Sequence, residues 1–175
     1  ALLNDFYRLV ELTRSRHHLP PQPKKWFQNL VSCFGDAIKI RVARKDGRTL
    51  AAMLTVRYKD TLIYKYGGSD TRYNKFGGMH LLYWTSIQDA RSSGARYFDL
   101  GRTDAHQLGL ITFKSRWGAK ESLLTYSRYA LSGDLRHAFD LSNAKAKSAN
   151  ARGLLAYLPN RLVSLLGRAL YKHVG

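Results

Sequence analysis

Tyr97-Phe98-Asp99-Leu100-Gly101-Arg102, followed by Gly109-Leu110-Ile111-Thr112-Phe113-Lys114-Ser115-Arg116-Trp117-Gly118-Ala119, is the stretch whose reading decides the fold. A strand that stops at an acid, a glycine and an arginine sets a titratable group, a flexible turn and an anion-binding fork at one sheet edge, where sites are often built. Asp99 alternates with Phe98 and Leu100, so it points away from the residues expected in the core. Such an acid acts as a base, orients an amine, or simply pairs with Arg102. Further on, Lys114 and Trp117 lie three apart, which on a helical turn places a cation beside a flat apolar surface. Lys114 stands among Leu110, Ile111 and Phe113, so its ammonium has to reach solvent or be paired inside a cleft. The step from Trp117 to Gly118, bulk followed by none, suits a backbone that a ligand approaches closely.

Outward from this stretch the pattern is mixed. Alternation and turn residues predict strands near residues 37–44, 49–58 and 61–66, joined by Asp46-Gly47 and Lys59-Asp60 as an antiparallel meander. Amphipathic helices are expected over residues 3–16, with Phe6, Leu9, Val10 and Leu12 on one face, and 24–34, with Trp26, Phe27, Leu30, Val31 and Phe34 inward. A further helix fits residues 79–90, then a strand over 96–100, a helix over 108–115 and a strand over 121–129. A helix between two strands returns the chain to pair in parallel, so the expected class is α/β (α+β), with a mixed central sheet. Residues 131–175 read as a helical extension of a domain spanning 1–130.

The chain has 175 residues, enough for one domain with a real core. Hydrophobic residues at 45% exclude a disordered chain. With 29 Lys and Arg against 12 Asp and Glu, the formal charge of +17 attracts phosphates, RNA or anionic lipid. Cys33 is alone, which excludes an internal disulfide and points to a reducing, cytoplasmic setting. No apolar run reaches the roughly 20 residues of a membrane span, and Asp5, Arg8 and Glu11 interrupt any signal-peptide pattern. A chain that starts at Ala1 and enters a helix at once is expected to be part of a longer protein, one that can carry a second domain.

Arg72-Tyr73-Asn74-Lys75-Phe76-Gly77-Gly78 sets two cations and paired glycines before a helix, a seat for a donor phosphate on free amides; the plainer reading is a tight turn. Tyr64 and Tyr66, two apart on a strand, share a face and either line the cleft or pack. His17-His18 has no acid or cysteine at ligand spacing, so no metal site is expected. No serine or cysteine nucleophile arrangement occurs, which leaves the nucleophile to the substrate. Residues 154–174 form a basic amphipathic pattern fit to lie on an anionic membrane at the inner face or to pack on the domain.

Tyr64-Lys65-Tyr66-Gly67-Gly68, Leu81-Leu82-Tyr83-Trp84, Gly94 to Arg102 and Gly109 to Ala119 together resemble the FemAB-like branch of the GNAT acyltransferase superfamily, and the tail loosely resembles its exopolysaccharide- and exosortase-associated members. The resemblance covers roughly residues 6–129. It implies a sheet splayed around a donor cleft and N-acyl or aminoacyl transfer from acyl-CoA or aminoacyl-tRNA to an amine of a cell-envelope or polysaccharide precursor, with no permanently bound cofactor. Lys114 matches the lysine of the family's Phe-Lys motif near the donor. Beside this resemblance, the residues themselves suggest Asp99 or a water as proton acceptor, Arg72, Lys75, Gly77, Gly78 and Arg102 as donor or phosphate contacts, and Tyr64, Tyr66, Trp117 and Gly118 as cleft wall. Asn74-Lys75-Phe76-Gly77-Gly78-Met79 matches the pyrophosphate loop of the superfamily only in part, methionine standing at its last position. The alternative is a non-catalytic module of the same shape that holds RNA or an anionic polymer on its basic face.

Overall fold

The computed structural model describes residues 1–126; the expected helices and tail of residues 131–175, with their membrane contact, lie outside these, as does the end of the strand expected over 121–129. The described residues fall into two compact units, Ala1–Arg102 and a second beginning at Thr103.

In the first unit, α1 (Leu2–Arg16) buries Phe6, Leu9 and Val10, spaced i, i+3 and i+4 as an inward helical stripe requires, while Leu12 stays 40% exposed. α2 (Lys24–Phe34) starts directly after Pro23 and stops at Gly35, whose φ of +50° favours glycine. Its expected inward face is narrower than the sequence suggests. Phe27 alone is buried, edge-on to Phe6 at 5.2 Å and to Tyr66 at 5.1 Å, whereas Trp26, Val31 and Phe34 are exposed. One large anchor of this kind contributes about 1.5–3 kcal/mol, and α2 docks through it.

The strands β1 (Ile38–Lys45), β2 (Arg48–Tyr58), β3 (Thr61–Ser69) and β4 (Tyr97–Asp99) lie in the order β1-β2-β3-β4. The first three form the antiparallel meander, and Asp46 (φ +49°) with Gly47 (φ +72°) makes the two-residue turn that both need left-handed φ to close. β4 pairs in parallel with β3, and α3 (Gly78–Ser92) crosses between them. The sheet is therefore mixed, as expected, but the parallel pair forms around this helix. Residues 121–126 form no strand: Leu123 is 95% exposed, with no ladder partner among the described residues.

α1 and α2 cover one sheet face and α3 the other, so β2 is buried from Thr49 to Thr55. Arg41 ties the α3 side together, donating to Thr55 Oγ1 at 2.9 Å and to Asp89 Oδ2 at 2.7 Å. On the other face, a Cβ on Gly68 would lie 2.6 Å from the Leu9 carbonyl oxygen, so α1 packs backbone to backbone on β3. The second unit holds α4 (Leu108–Arg116).

Candidate active site

β4 is paired with β3 only over Thr61–Ile63, and β3 runs on to Ser69. On that flank the six residues Tyr64–Ser69 have no ladder partner among the described residues, a stretch of about 20 Å at about 3.3 Å per residue. The Asp99-Leu100-Gly101 turn causes the parting. Asp99 Oδ1 accepts the Gly101 N–H at 2.7 Å, and Gly101, at φ +72°, passes so close to β3 that a Cβ there would sit 3.3 Å from the Tyr64 carbonyl oxygen. Asp99 is exposed and lies opposite Phe98, whose ring packs 6.0 Å from Tyr83. Arg102 follows at the surface, also exposed.

The two tyrosines do not share a face. Leu54 pairs with Tyr66 and its neighbour Thr55 with Tyr64, so Lys65 is an extra residue and the alternation breaks there. Tyr66 turns toward α2, where Trp26 Nε1 donates to its hydroxyl at 3.3 Å. Tyr64 turns toward α3 and packs on Tyr83 at 5.3 Å. Burial raises the Tyr64 phenol above its ordinary value; Tyr83 is raised further, by burial first and then by Tyr64 beside it. Gly67 leaves room for the Tyr64 hydroxyl, 2.1 Å from where a Cβ would be. Tyr66 is thus a packing residue, correcting the expectation that both line one cleft.

At the far end of β3 the chain enters a 3-10 turn, Thr71–Phe76, capped by Asp70. Asp70, 6% exposed, accepts from Arg72 Nε at 3.0 Å and Arg72 Nη2 at 2.7 Å. That guanidinium holds its carboxyl below the usual range, against the opposing cost of burial. Arg72 keeps an exposed edge and, with Lys75, lines a hollow of about 430 Å³. Gly77, at φ +67°, makes the left-handed step into α3, and the Gly78 position is packed, a Cβ there falling 3.1 Å from Ala51 Cβ. Gly78 therefore serves the approach of helix to sheet as well as offering its amide. Lys45, Arg48, Tyr73 and Phe76 line the same hollow and were not legible as site residues.

In the second unit Lys114 is half-buried on α4, and Phe113 and Trp117 meet at 6.4 Å. Gly118 has φ +75°; its N–H donates to the Ser115 carbonyl at 2.8 Å and that of Ala119 to the Lys114 carbonyl at 3.3 Å. This pairing closes a helix with a left-handed glycine. It gives Gly118 a structural cause, whereas the sequence suggested ligand approach. Among the described residues no cluster of His, Cys, Asp or Glu is suited to a metal ion, and no helix is long and apolar enough to cross a membrane.

A helix-flanked meander that ends in a parallel fourth strand is a fold that solved acetyltransferases share. The ribosomal-protein-S18-alanine N-acetyltransferase of Escherichia coli superposes with a TM-score of 0.56 at 18% identity, over 74% of this chain and 79% of that one. The aminoglycoside acetyltransferase meta-AAC0020 from an uncultured soil metagenomic sample, in complex with trehalose, gives 0.57 at 14% identity, over 74% and 88%. The acetyltransferase (GNAT) domain family matches residues 1–115, and the chain belongs to that family as an N-acyltransferase domain. It is also 26% identical over 115 residues to a FemAB-type relative, the UDP-N-acetylmuramoylpentapeptide-lysine N(6)-alanyltransferase of Weissella viridescens, covering 64% of this chain and 34% of that protein. The chain thus spans about a third of the length of this curated relative.

Proposed function

We propose that the domain transfers an acyl or aminoacyl group from acyl-CoA or aminoacyl-tRNA to an amine of a cell-envelope or polysaccharide precursor, acting on the cytoplasmic side. The parting of β4 from β3 at Asp99 carries the reading, because it frees a strand edge between an acid and the N-terminus of α3. The donor lies along that edge, with its phosphates toward Arg72, Lys75 and the amides of Gly77 and Gly78 at the positive end of α3. The acceptor nitrogen attacks the donor carbonyl, the bond from that carbonyl to the carrier's sulfur or oxygen breaks, and the nitrogen's proton passes to Asp99 directly or through water. Lys114 offsets charge on the attacked oxygen, an electrostatic effect worth more in a site that excludes water. Tyr64 forms cleft wall, Trp117 is a substrate contact, and Arg102 is an additional anion contact.

The Weissella relative is named for alanyl transfer to a lysine of a muramoyl pentapeptide, which favours an envelope precursor as acceptor. The exopolysaccharide-associated branch stays within the same chemistry, since amino sugars also present an amine. The test is a screen of acyl-CoA and aminoacyl-tRNA donors against amino sugars and peptidoglycan precursors, with Asp99→Ala and Lys114→Ala beside the unaltered chain. Saturable transfer that falls in both variants is expected; no transfer with any donor overturns the reading.

A further inference from the structure

The hollow against the 3-10 turn contains more positive charge than a donor pyrophosphate on α3 requires. Lys45 and Arg48 flank the Asp46-Gly47 turn of the β1–β2 hairpin, two strands away from the parted edge, and face Arg72 and Lys75 across the hollow. Two rings hold the four cations in place. Lys45 Nζ and Lys75 Nζ both stand over Phe76, 4.3 and 5.3 Å from its centre. The Arg48 and Arg72 guanidiniums stand 5.9 and 5.5 Å from the centre of Tyr73, and Arg48 donates to the Tyr73 hydroxyl at 3.3 Å. Tyr73 and Phe76 stack at 6.5 Å with 24° between their planes, so the two rings form one side of the hollow.

Charge at this wall is not balanced internally. Of the four cations only Arg72 has an ion-pair partner among the described residues, the buried Asp70, and the remaining acid at the hollow is Asp46. Cation–ring contacts stabilise by about 0.5–1 kcal/mol at exposed sites, yet they leave the positive charge in place. Convergent cations repel one another until an anion enters, and at about 430 Å³ the hollow lies in the ordinary range for small-molecule sites, about 300–1,000 Å³. Leu50, 6% exposed, supplies an apolar patch beside the charges.

We propose that this hollow is a binding site for the phosphates of a nucleotide, with Lys45 and Arg48 as ligands outside the turn that leads into α3. The nucleotide belongs either to a small carrier such as CoA or to an RNA strand; phosphate recognition is common to both. The site extends the proposed function without depending on it, since binding is read with no acceptor and no turnover. Loss of transfer in Lys114→Ala leaves the site standing; unchanged affinity in a Lys45/Arg48 variant removes the site and leaves transfer standing, whereas failure of every probe to bind removes both.

The experiment titrates the full chain with CoA, with a labelled single-stranded RNA and with inorganic pyrophosphate at low salt. The comparison is with Lys45→Glu/Arg48→Glu and with Arg57→Glu/Lys59→Glu, a charge-matched control at the far end of β2. The expected result is binding of at least one probe, weakened tenfold or more by the first pair and less than threefold by the control. CoA alone identifies a carrier, RNA alone a strand, and pyrophosphate alone the shared phosphate chemistry. For RNA, removing two contacts lowers the slope of log affinity against log salt by about 1.4, at about 0.7 per single-strand contact. If circular dichroism shows the glutamate pair unfolded, Lys45→Gln/Arg48→Gln decides by the same criterion. Absence of binding by all three probes, unchanged affinity in the pair, or equal loss in the control overturns the proposal.

Discussion

Tyr64 and Tyr66 stand two positions apart on one strand and face opposite sides of the sheet, Tyr64 packed on Tyr83 and Tyr66 on Phe27. The extra residue Lys65 causes this, and it lies where β3 begins to run alone on its β4 flank. A bulge increases the local twist, so the extra residue sets the two tyrosines on opposite faces at the point where the Asp99 turn parts the strands. Tyr64 and Tyr83 are then expected to stay protonated beyond the ordinary tyrosine range, since burial raises both. Their folded values lie above the unfolded one, so their contribution is complete below about pH 10 and is lost as pH rises beyond it. Absorbance titration should show late-ionising phenols, one fewer in Tyr64→Phe and one fewer in Tyr83→Phe.

Asp70 supplies the opposite limb. Its folded value is depressed by Arg72, as those of Asp5 and Asp89 are by Arg44 and Arg41, so these carboxylates stabilise the fold above about pH 4 and cease to as pH falls through their folded values. Asp70→Asn should lower stability at neutral pH, by less than breaking a fully buried ion pair because the partner Arg72 is solvent-screened, and flatten the acid limb of Tm against pH. Calorimetry from pH 2 to 7 measures both.

Two adjacent glycines should respond differently to alanine. At Gly68 the added Cβ meets the backbone of Leu9, which cannot swing aside, whereas at Gly67 it meets the hydroxyl of Tyr64. Overpacking costs about 1–3 kcal/mol, and Gly68→Ala is expected at the upper end, with Tm lower by roughly 2–4 °C per kcal/mol. Gly67→Ala should be partly rescued by Tyr64→Phe, which removes the nearest clashing atom. Gly68→Ala should not, and thermal denaturation of the four variants separates the two.

The meander was legible because its signals are local: short runs of strand-forming residues and an Asp-Gly turn that only left-handed backbone closes. A mixed sheet was legible from a helix standing between two strands, but the expected pair was residues 96–100 with 121–129, whereas the parallel pair that forms is β3 with β4 around α3. What the sequence withheld depends on neighbours far along the chain. Trp26, Val31 and Phe34 were expected inward with Phe27 and Leu30, but the core beneath accommodates Phe27 and, in part, Leu30. Tyr66 lost its place in the cleft to a bulge that no residue pattern marks. Lys45 and Arg48 read as an ordinary solvated hairpin turn until Tyr73 and Phe76, more than twenty residues later, fold against them. Asp99 and its glycine were legible as a strand end, and the hydrogen bond that peels β4 away was not.

Gly118 offers a separation of structure from chemistry in the second unit. Its left-handed φ closes α4, so Gly118→Ala should cost about 1 kcal/mol whatever the ligand does. Gly118→Asn restores most of that loss, because asparagine tolerates the same backbone region. If closure is the whole role, transfer by the asparagine variant stays within about threefold of the unaltered chain. A large loss of transfer at restored stability would instead assign the absent side chain to the cleft.

Asp99 has two roles that one pair of substitutions divides. Its carboxylate accepts the Gly101 N–H and is also the proposed proton acceptor. Asp99→Asn keeps an oxygen for the turn but has no basic site, and Asp99→Ala removes both. Direct proton transfer predicts a loss of about 10²–10⁴ in kcat in both variants, with stability lowered only in alanine. A purely structural Asp99 predicts activity retained in asparagine and lost in alanine in step with stability. The discriminating measurement is kcat beside Tm for the asparagine variant: with Asp99 as base, turnover falls by that factor while stability holds. Retained turnover in asparagine would assign proton acceptance to another group and leave Asp99 as the residue that parts the strands.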